Sequence, residues 1–255
     1  MRENRAIFAL CGKGGVGKTS VSAAIVKILS GLGSKKVLAI DADPAVGLAS
    51  ALGIVPRRTI DDIRNDLIRD VRDGTAMDKQ ELVSRIDYDV FDAIEEKGNL
   101  GFLAIGRPET EGCYCRVNSF LKEIIETTAG HFDYVVIDGE AGIEQVNRRV
   151  MDAVDHLLLV SDASAKGLNV VNEIYKTAAR TVKFRKAALV LNRIRSQEEA
   201  KAAIERTTLE VGGWIPEDDT IREFDIQGRS ILELPDCPSL RAVASILEQV
   251  AGKPS

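Results

Sequence analysis

The sequence predicts an α/β protein built on a doubly wound, mostly parallel sheet with helices on both faces. Its strand candidates are nearly continuous apolar runs rather than alternating ones, as strands buried on both faces require. The segments between them are long enough to hold crossover helices. The runs are Ala6–Leu10, Lys36–Ile40, Leu100–Ile105, Tyr134–Ile137, His156–Val160, Ala187–Leu191 and a short piece near Trp214. Thr19–Ser30 is a helix candidate: Val21, Ile25, Ile28 and Leu29 share a face, and Gly31 and Gly33 end it. Ligands in such a sheet bind beyond the carboxyl ends of the strands.

Residues 1–255 are expected to form one domain with a charged helical insertion at about 57–98. That insertion is rich in Asp, Arg and Glu, with helical spacing at Ile60, Ile63 and Leu67 and again at Leu82 and Ile86. It reads as a solvated addition on the rim of the sheet or as a docking surface for a partner. Of the 255 residues 45% are apolar and 29% charged, enough to bury a substantial core. With 34 basic and 39 acidic side chains the net charge is −5, so no strong generic field draws the chain to nucleic acid or an anionic membrane. The polar start Met1–Arg5 and the short run after it do not make a secretory signal, and no apolar stretch nears the roughly 20 residues of a spanning helix. A cytoplasmic location is expected, where the four cysteines stay reduced.

Gly12-Lys13-Gly14-Gly15-Val16-Gly17-Lys18-Thr19 lies between the first strand and the first helix and satisfies the phosphate-loop pattern G-x-x-x-x-G-K-[ST]. Glycines let the backbone wrap a phosphate chain with its N–H groups inward, and the helix starting at Lys18, Thr19 and Ser20 adds its positive end. Lys18 is a cation for the β- and γ-phosphates of ATP, and the Thr19 hydroxyl is placed to ligand Mg²⁺. Carboxylates end two further strands: Asp41-Ala42-Asp43-Pro44 and, after Tyr134–Ile137, Asp138.

The second lysine of the loop, Lys13 in K-G-G-x-G-K-T, resembles the deviant Walker A ATPases. These include partitioning and division-site ATPases, the nitrogenase iron protein, arsenite and tail-anchor ATPases, and metallocluster assembly proteins. The resemblance implies a homodimer in which Lys13 reaches the other subunit's ATP and stabilises charge on the transferring phosphoryl group. It makes Lys13, Lys18 and Asp43 the catalytic set, with Asp43 orienting the attacking water. Asp41 then lies behind the Mg²⁺ ligands or meets a Mg²⁺-bound water, Asp138 holds a Mg²⁺-bound water, and the Gly142 amide contacts the γ-phosphate. Asn192 and Arg193 resemble the family's N-[KR], in which the amide reads adenine, and Ile215-Pro216-Glu217-Asp218 through Gly228 resembles the segment that covers base and ribose.

Within that family, Glu140-Ala141-Gly142-Ile143-Glu144 and Cys113-Tyr114-Cys115 resemble the nickel-insertion ATPases that mature carbon monoxide dehydrogenase. Glu140 and Glu144 become candidates for relaying nucleotide state. Two thiolates cannot close a tetrahedral site, but a two-fold dimer supplies four, a set that suits Ni²⁺ or Zn²⁺. The implied function is Mg²⁺-dependent ATP hydrolysis coupled to nickel delivery, with carbon monoxide dehydrogenase or acetyl-CoA synthase as client and neither nucleic acid nor membrane as partner. Two other classes share the nucleotide machinery: an iron–sulfur carrier or reductase like the nitrogenase iron protein, and a partitioning or positioning ATPase. The latter calls for a basic face or a basic amphipathic terminal helix, whereas Leu240–Val250 carries only Arg241 as a cation and reads as packed on the domain. Cys11 is expected in the core, Cys237 receives no role, and His131 and His156 are read as structural.

Overall fold

The computed structural model describes residues 5–72, 79–107, 115–139 and 150–252. Eight strands form one sheet: β1 (Ala6–Gly12), β2 (Val37–Asp41), β3 (Glu95–Lys97), β4 (Leu100–Ala104), β5 (Tyr134–Asp138), β6 (Ala153–Ser161), β7 (Lys183–Ile194) and β8 (Val211–Pro216). Their order is β3-β4-β2-β5-β1-β6-β7-β8, parallel throughout except for β3. The doubly wound expectation therefore holds.

Each apolar run divides its side chains between two cores, because successive residues of a strand point to opposite faces. On β1, Ile7, Ala9 and Cys11 join one core while Phe8 and Leu10 join the other. Full burial of such side chains contributes about 1.5–3 kcal/mol each, which favours this register over a one-residue slip. One face is covered by α1 (Lys18–Ser30), α2 (Gly47–Leu52) and α9 (Pro238–Ala251). The other face is covered by α3 (Ile60–Arg72), α4 (Lys79–Asp92), α5 (Cys115–Ala129), α6 (Ala165–Thr181) and α7 (Gln197–Ile204). A short helix, α8 (Asp219–Ile226), follows β8.

The segment 57–98 is more integrated than a rim addition. Ile60, Ile63 and Leu67 of α3 and Ile86 and Val90 of α4 are buried in the main core, and both helices pack on α5. It also contains β3, which no apolar pattern announced. Glu95-Glu96-Lys97 folds back on β4 through the two residues Gly98 and Asn99, with Gly98 at φ 64. A charged antiparallel strand at the sheet margin discourages further strand addition. The apolar side chains Leu240, Val243, Ile246, Leu247 and Val250 of α9 are buried against the sheet, and Arg241 pairs with Asp236. Among the described residues no helix is long and apolar enough to cross a membrane.

Candidate functional site

The order β2-β5-β1 brings the carboxyl ends of three strands side by side. β1 delivers the glycine loop. Asp41 and Asp138 are register partners on β2 and β5. Gly12 closes β1 against β6 so tightly that a Cβ there would lie 2.1 Å from the Val160 carbonyl oxygen. The loop then turns with Gly15 at φ 82 and Gly17 at φ 88, conformations open to glycine at little cost. No side chain caps α1 at Gly17, so the first N–H groups of that helix remain available to an anion. Lys18 is 8% exposed and its Nζ donates to the Lys13 carbonyl oxygen at 3.3 Å.

Asp138 is buried, and burial raises its pKa against the opposing hydrogen bonds from Ser22 and Thr19 and the nearby Lys18 charge. Its Oδ1 accepts from the Ser22 hydroxyl at 2.8 Å, while its Oδ2 is buried without a partner. An orphaned carboxylate oxygen beside the Thr19 hydroxyl fits a hydrated divalent cation, which would carry the charge of the bound phosphates. Thr19 and Asp138 are the residues that would hold it. Ser22 was missed by sequence reading. Its signal was the i+3 spacing from Thr19, which puts both hydroxyls on one helical face.

Asp41 is bound into the turn and helix that follow it. Both of its oxygens are engaged by backbone: Oδ1 accepts from Asp43 N at 3.2 Å, and Oδ2 from Leu48 N at 2.8 Å and Ala49 N at 3.2 Å. It therefore caps α2, satisfying N–H groups that the helix itself cannot. Burial, together with the Asp138 charge, pushes its pKa up to about 7 despite those bonds. The sign of the linkage follows: the neutral form is favoured in the fold, so its contribution is full below the unfolded value near 4 and is lost as pH rises through about 7. Nucleotide- and Mg²⁺-free protein is expected to lose about 2–3 kcal/mol between pH 5 and pH 8 from this group. Thermal melts of Asp41→Asn should show a flatter pH dependence over that window. Parallel curves for variant and wild type would contradict the assignment.

Asp43 sits in the turn before α2, with its Oδ1 accepting from Ala45 N at 2.9 Å, and it lies near enough for its charge to raise the pKa of Asp138. Val46 enters α2 at φ 51 and ψ 43. For a β-branched residue that conformation costs about 1–2 kcal/mol. The next residue, Gly47, abuts Thr19: a Cβ there would be 3.6 Å from the Thr19 methyl and 3.7 Å from its hydroxyl. The start of α2 therefore lies close to the Mg²⁺-ligand candidate.

Beyond the loop lies a cavity of about 470 Å³, walled by Ile215, Pro216, Ile221 and Val243 on its apolar side and by Asn192 and Arg193 next to the glycines. The sequence points to Asn192, Arg193 and the segment from Ile215 to Gly228, which includes Ile221 of α8, but not to Val243, which α9 brings in from later in the chain. Asp218 lines this cavity and also joins the two helices. It accepts from Thr220 N and from Ser239 N, each at 3.0 Å. Burial works against its charge, but these bonds and one from the Cys237 thiol hold its pKa below the usual carboxylate range. Glu217 pairs with Arg195 at 3.0 Å.

The remaining candidates separate. Cys11 is fully buried, and burial pushes its thiol up to about 12, as befits a core residue. Cys237 is buried at the start of α9, and His156 stacks on Phe8 with ring centroids 4.9 Å apart. Cys115 is the first residue of α5, whereas Cys113, Glu140, Gly142 and Glu144 lie outside the described residues. Among the described residues no group of three or more His, Cys, Asp or Glu side chains is placed to hold a metal ion.

Residues 7–231 match the family model described as the CobQ/CobB/MinD/ParA nucleotide binding domain. The chain belongs to this family. An uncharacterised ATP-binding protein of Methanocaldococcus jannaschii is 34% identical over 97% of this chain and 99% of its own length. The carbon monoxide dehydrogenase accessory protein CooC of Rhodospirillum rubrum is 28% identical over 95% of this chain and 97% of its own. Among solved structures, the septum site-determining protein MinD of Pyrococcus horikoshii, complexed with Mg-ADP, superposes with a TM-score of 0.66 over 96% of this chain and 95% of that one, at 24% identity. As a CobQ/CobB/MinD/ParA member the protein is an ATP-binding, phosphate-loop chain, and the glycine loop, Thr19 and Asp138 occupy the end of the sheet where such a ligand belongs.

Proposed function

We propose that the protein is a dimerising, Mg²⁺-dependent ATPase that carries Ni²⁺, with Zn²⁺ as a competing occupant, between Cys113 and Cys115 of two subunits, and that it assists nickel insertion into a client enzyme. The observation that carries the reading is the Cys113-Tyr114-Cys115 motif in the sequence, in a chain that aligns with CooC along nearly all of both lengths. Four thiolates from two subunits form a donor set suited to a soft or borderline divalent ion and closed to Mg²⁺. The metal is cargo, so the hydrolytic chemistry belongs to the nucleotide site.

In that site Lys18 and the loop N–H groups bind the phosphates. Thr19 and Asp138 hold the hydrated Mg²⁺, which supplies charge neutralisation at the phosphates. Asp43 orients the attacking water, and Lys13 of each subunit stabilises developing charge at the other's nucleotide. The client is carbon monoxide dehydrogenase or acetyl-CoA synthase, and the setting is the cytoplasm, where thiols remain reduced.

The test is metal stoichiometry. Wild type should bind one Ni²⁺ or Zn²⁺ per dimer with no iron or acid-labile sulfide by elemental analysis, and Cys113→Ser with Cys115→Ser should bind none while keeping at least part of the ATPase activity. Iron and acid-labile sulfide in a brown, anaerobically purified protein would favour the iron–sulfur carrier instead. A positioning ATPase would bind no thiolate metal at all.

A further inference from the structure

The carboxyl end of β7 touches both the base cavity and the phosphate loop. Asn192, 7% exposed, lines the cavity, yet its Nδ2 donates to the Val16 carbonyl oxygen at 2.8 Å. Arg193 follows in a left-handed backbone conformation, φ 59, and its Nη1 donates to the Gly15 carbonyl oxygen at 3.0 Å. Two consecutive side chains thus hold two consecutive carbonyls of the loop. The loop is pressed close against them: a Cβ on Gly17 would lie 2.5 Å from the Asn192 Nδ2.

The geometry of the trans peptide gives this arrangement a consequence. A carbonyl and the N–H of the following residue lie in one plane and point in opposite directions. Holding the Gly15 and Val16 carbonyls towards β7 therefore turns the N–H groups of Val16 and Gly17 the other way, away from β7. Inward N–H groups are what bind a phosphate chain. A non-glycine residue kept at positive φ costs energy, and the Arg193 conformation persists where the surrounding structure requires it.

We propose that Asn192 and Arg193 are positioning residues that set the shape of the phosphate loop before nucleotide arrives, so that affinity for phosphate depends on them even when no base is present. The proposal rests on nucleotide binding at this loop and is independent of the metal. It differs from a base-reading role for Asn192, which would act only when the cavity is filled.

Tripolyphosphate separates the two roles, because it occupies the loop without a base. Calorimetric titrations with tripolyphosphate and with ATP would compare wild type, Asn192→Ala and Arg193→Met. Each variant loses one hydrogen bond to the loop, and each should bind tripolyphosphate about five- to tenfold more weakly. ATP should weaken at least as much. Asn192→Ala changes no charge, so its loss is not one of distant attraction, and the exposed Arg193→Met carries the test if Asn192→Ala does not fold. A purely structural role would lower the melting temperature while leaving the tripolyphosphate affinity of the folded protein intact. Unchanged tripolyphosphate affinity in both variants, with ATP binding weakened, overturns the proposal. So does a wild type that binds ATP but not tripolyphosphate, because the loop would then not be formed without the base. A wild type that binds neither defeats the nucleotide reading itself.

Discussion

Asp43→Ala should bind ATP almost as tightly as wild type and hydrolyse it at least about a hundredfold more slowly, the range expected when a group that orients or activates the attacking water is removed. The two effects separate because the phosphate contacts lie elsewhere. In the proposed site Lys18, the loop N–H groups and the α1 terminus would hold the phosphates, whereas Asp43 lies in the turn before α2. Lys18→Ala should show the complementary pattern, with binding and turnover both falling, because a buried cation next to the phosphates is lost. Fluorescent-nucleotide binding with a phosphate-release assay on both variants checks this. Normal turnover in Asp43→Ala would remove that residue from the chemistry. The variant should also accumulate as an ATP-bound dimer, visible as a larger species by size-exclusion chromatography with ATP and Mg²⁺.

Lys13→Gln is the second large effect, and its signature is rescue in trans. A cation inserted opposite the transferring phosphoryl group contributes about 10³–10⁵ in rate in related phosphoryl-transfer enzymes, so homodimers of the variant should be nearly inactive. They should retain nucleotide binding, because Lys18 is intact. Mixing Lys13→Gln with Asp43→Ala forms heterodimers in which one site has its own Asp43 and receives Lys13 from the partner subunit. That site should turn over, and activity should rise with the fraction of heterodimer, up to one working site in two. No rescue in dimers shown to be mixed would mean that Lys13 acts only within its own subunit.

Much of this architecture was legible in the sequence because its signals are local. A strand buried on both faces must be apolar throughout, and β1, β2, β5 and β6 obey that rule closely enough for their positions to be read. The phosphate loop was legible because few residue sets can wrap a phosphate. What escaped reading depends on distant residues meeting. β3 is Glu95-Glu96-Lys97, whose edge position makes charge acceptable, so its only cue was the Gly98-Asn99 turn. Asp41 is conspicuous in sequence because it ends a strand, but its capping of α2 rests on a fold-back seven residues on to Leu48. Ser22 meets Asp138 across 116 positions, and Val243 reaches the base cavity from the final helix. The segment 57–98 was read as solvated from its charges, yet one apolar residue per turn was enough to anchor α3 and α4 in the core.

If metal and ATP are bound by one and the same dimer, a nickel titration will respond to a non-hydrolysable ATP analogue. Because binding linkage is reciprocal, an analogue that shifts nickel affinity by some factor must find its own affinity shifted by the same factor when nickel is present. The expected result is one Ni²⁺ per wild-type dimer, a nickel affinity that changes when the analogue is added, the matching change in analogue affinity, and no tight nickel binding in the Cys113→Ser, Cys115→Ser double variant. Unchanged nickel stoichiometry in that double variant would contradict it and leave the protein an ATP switch without a metal cargo.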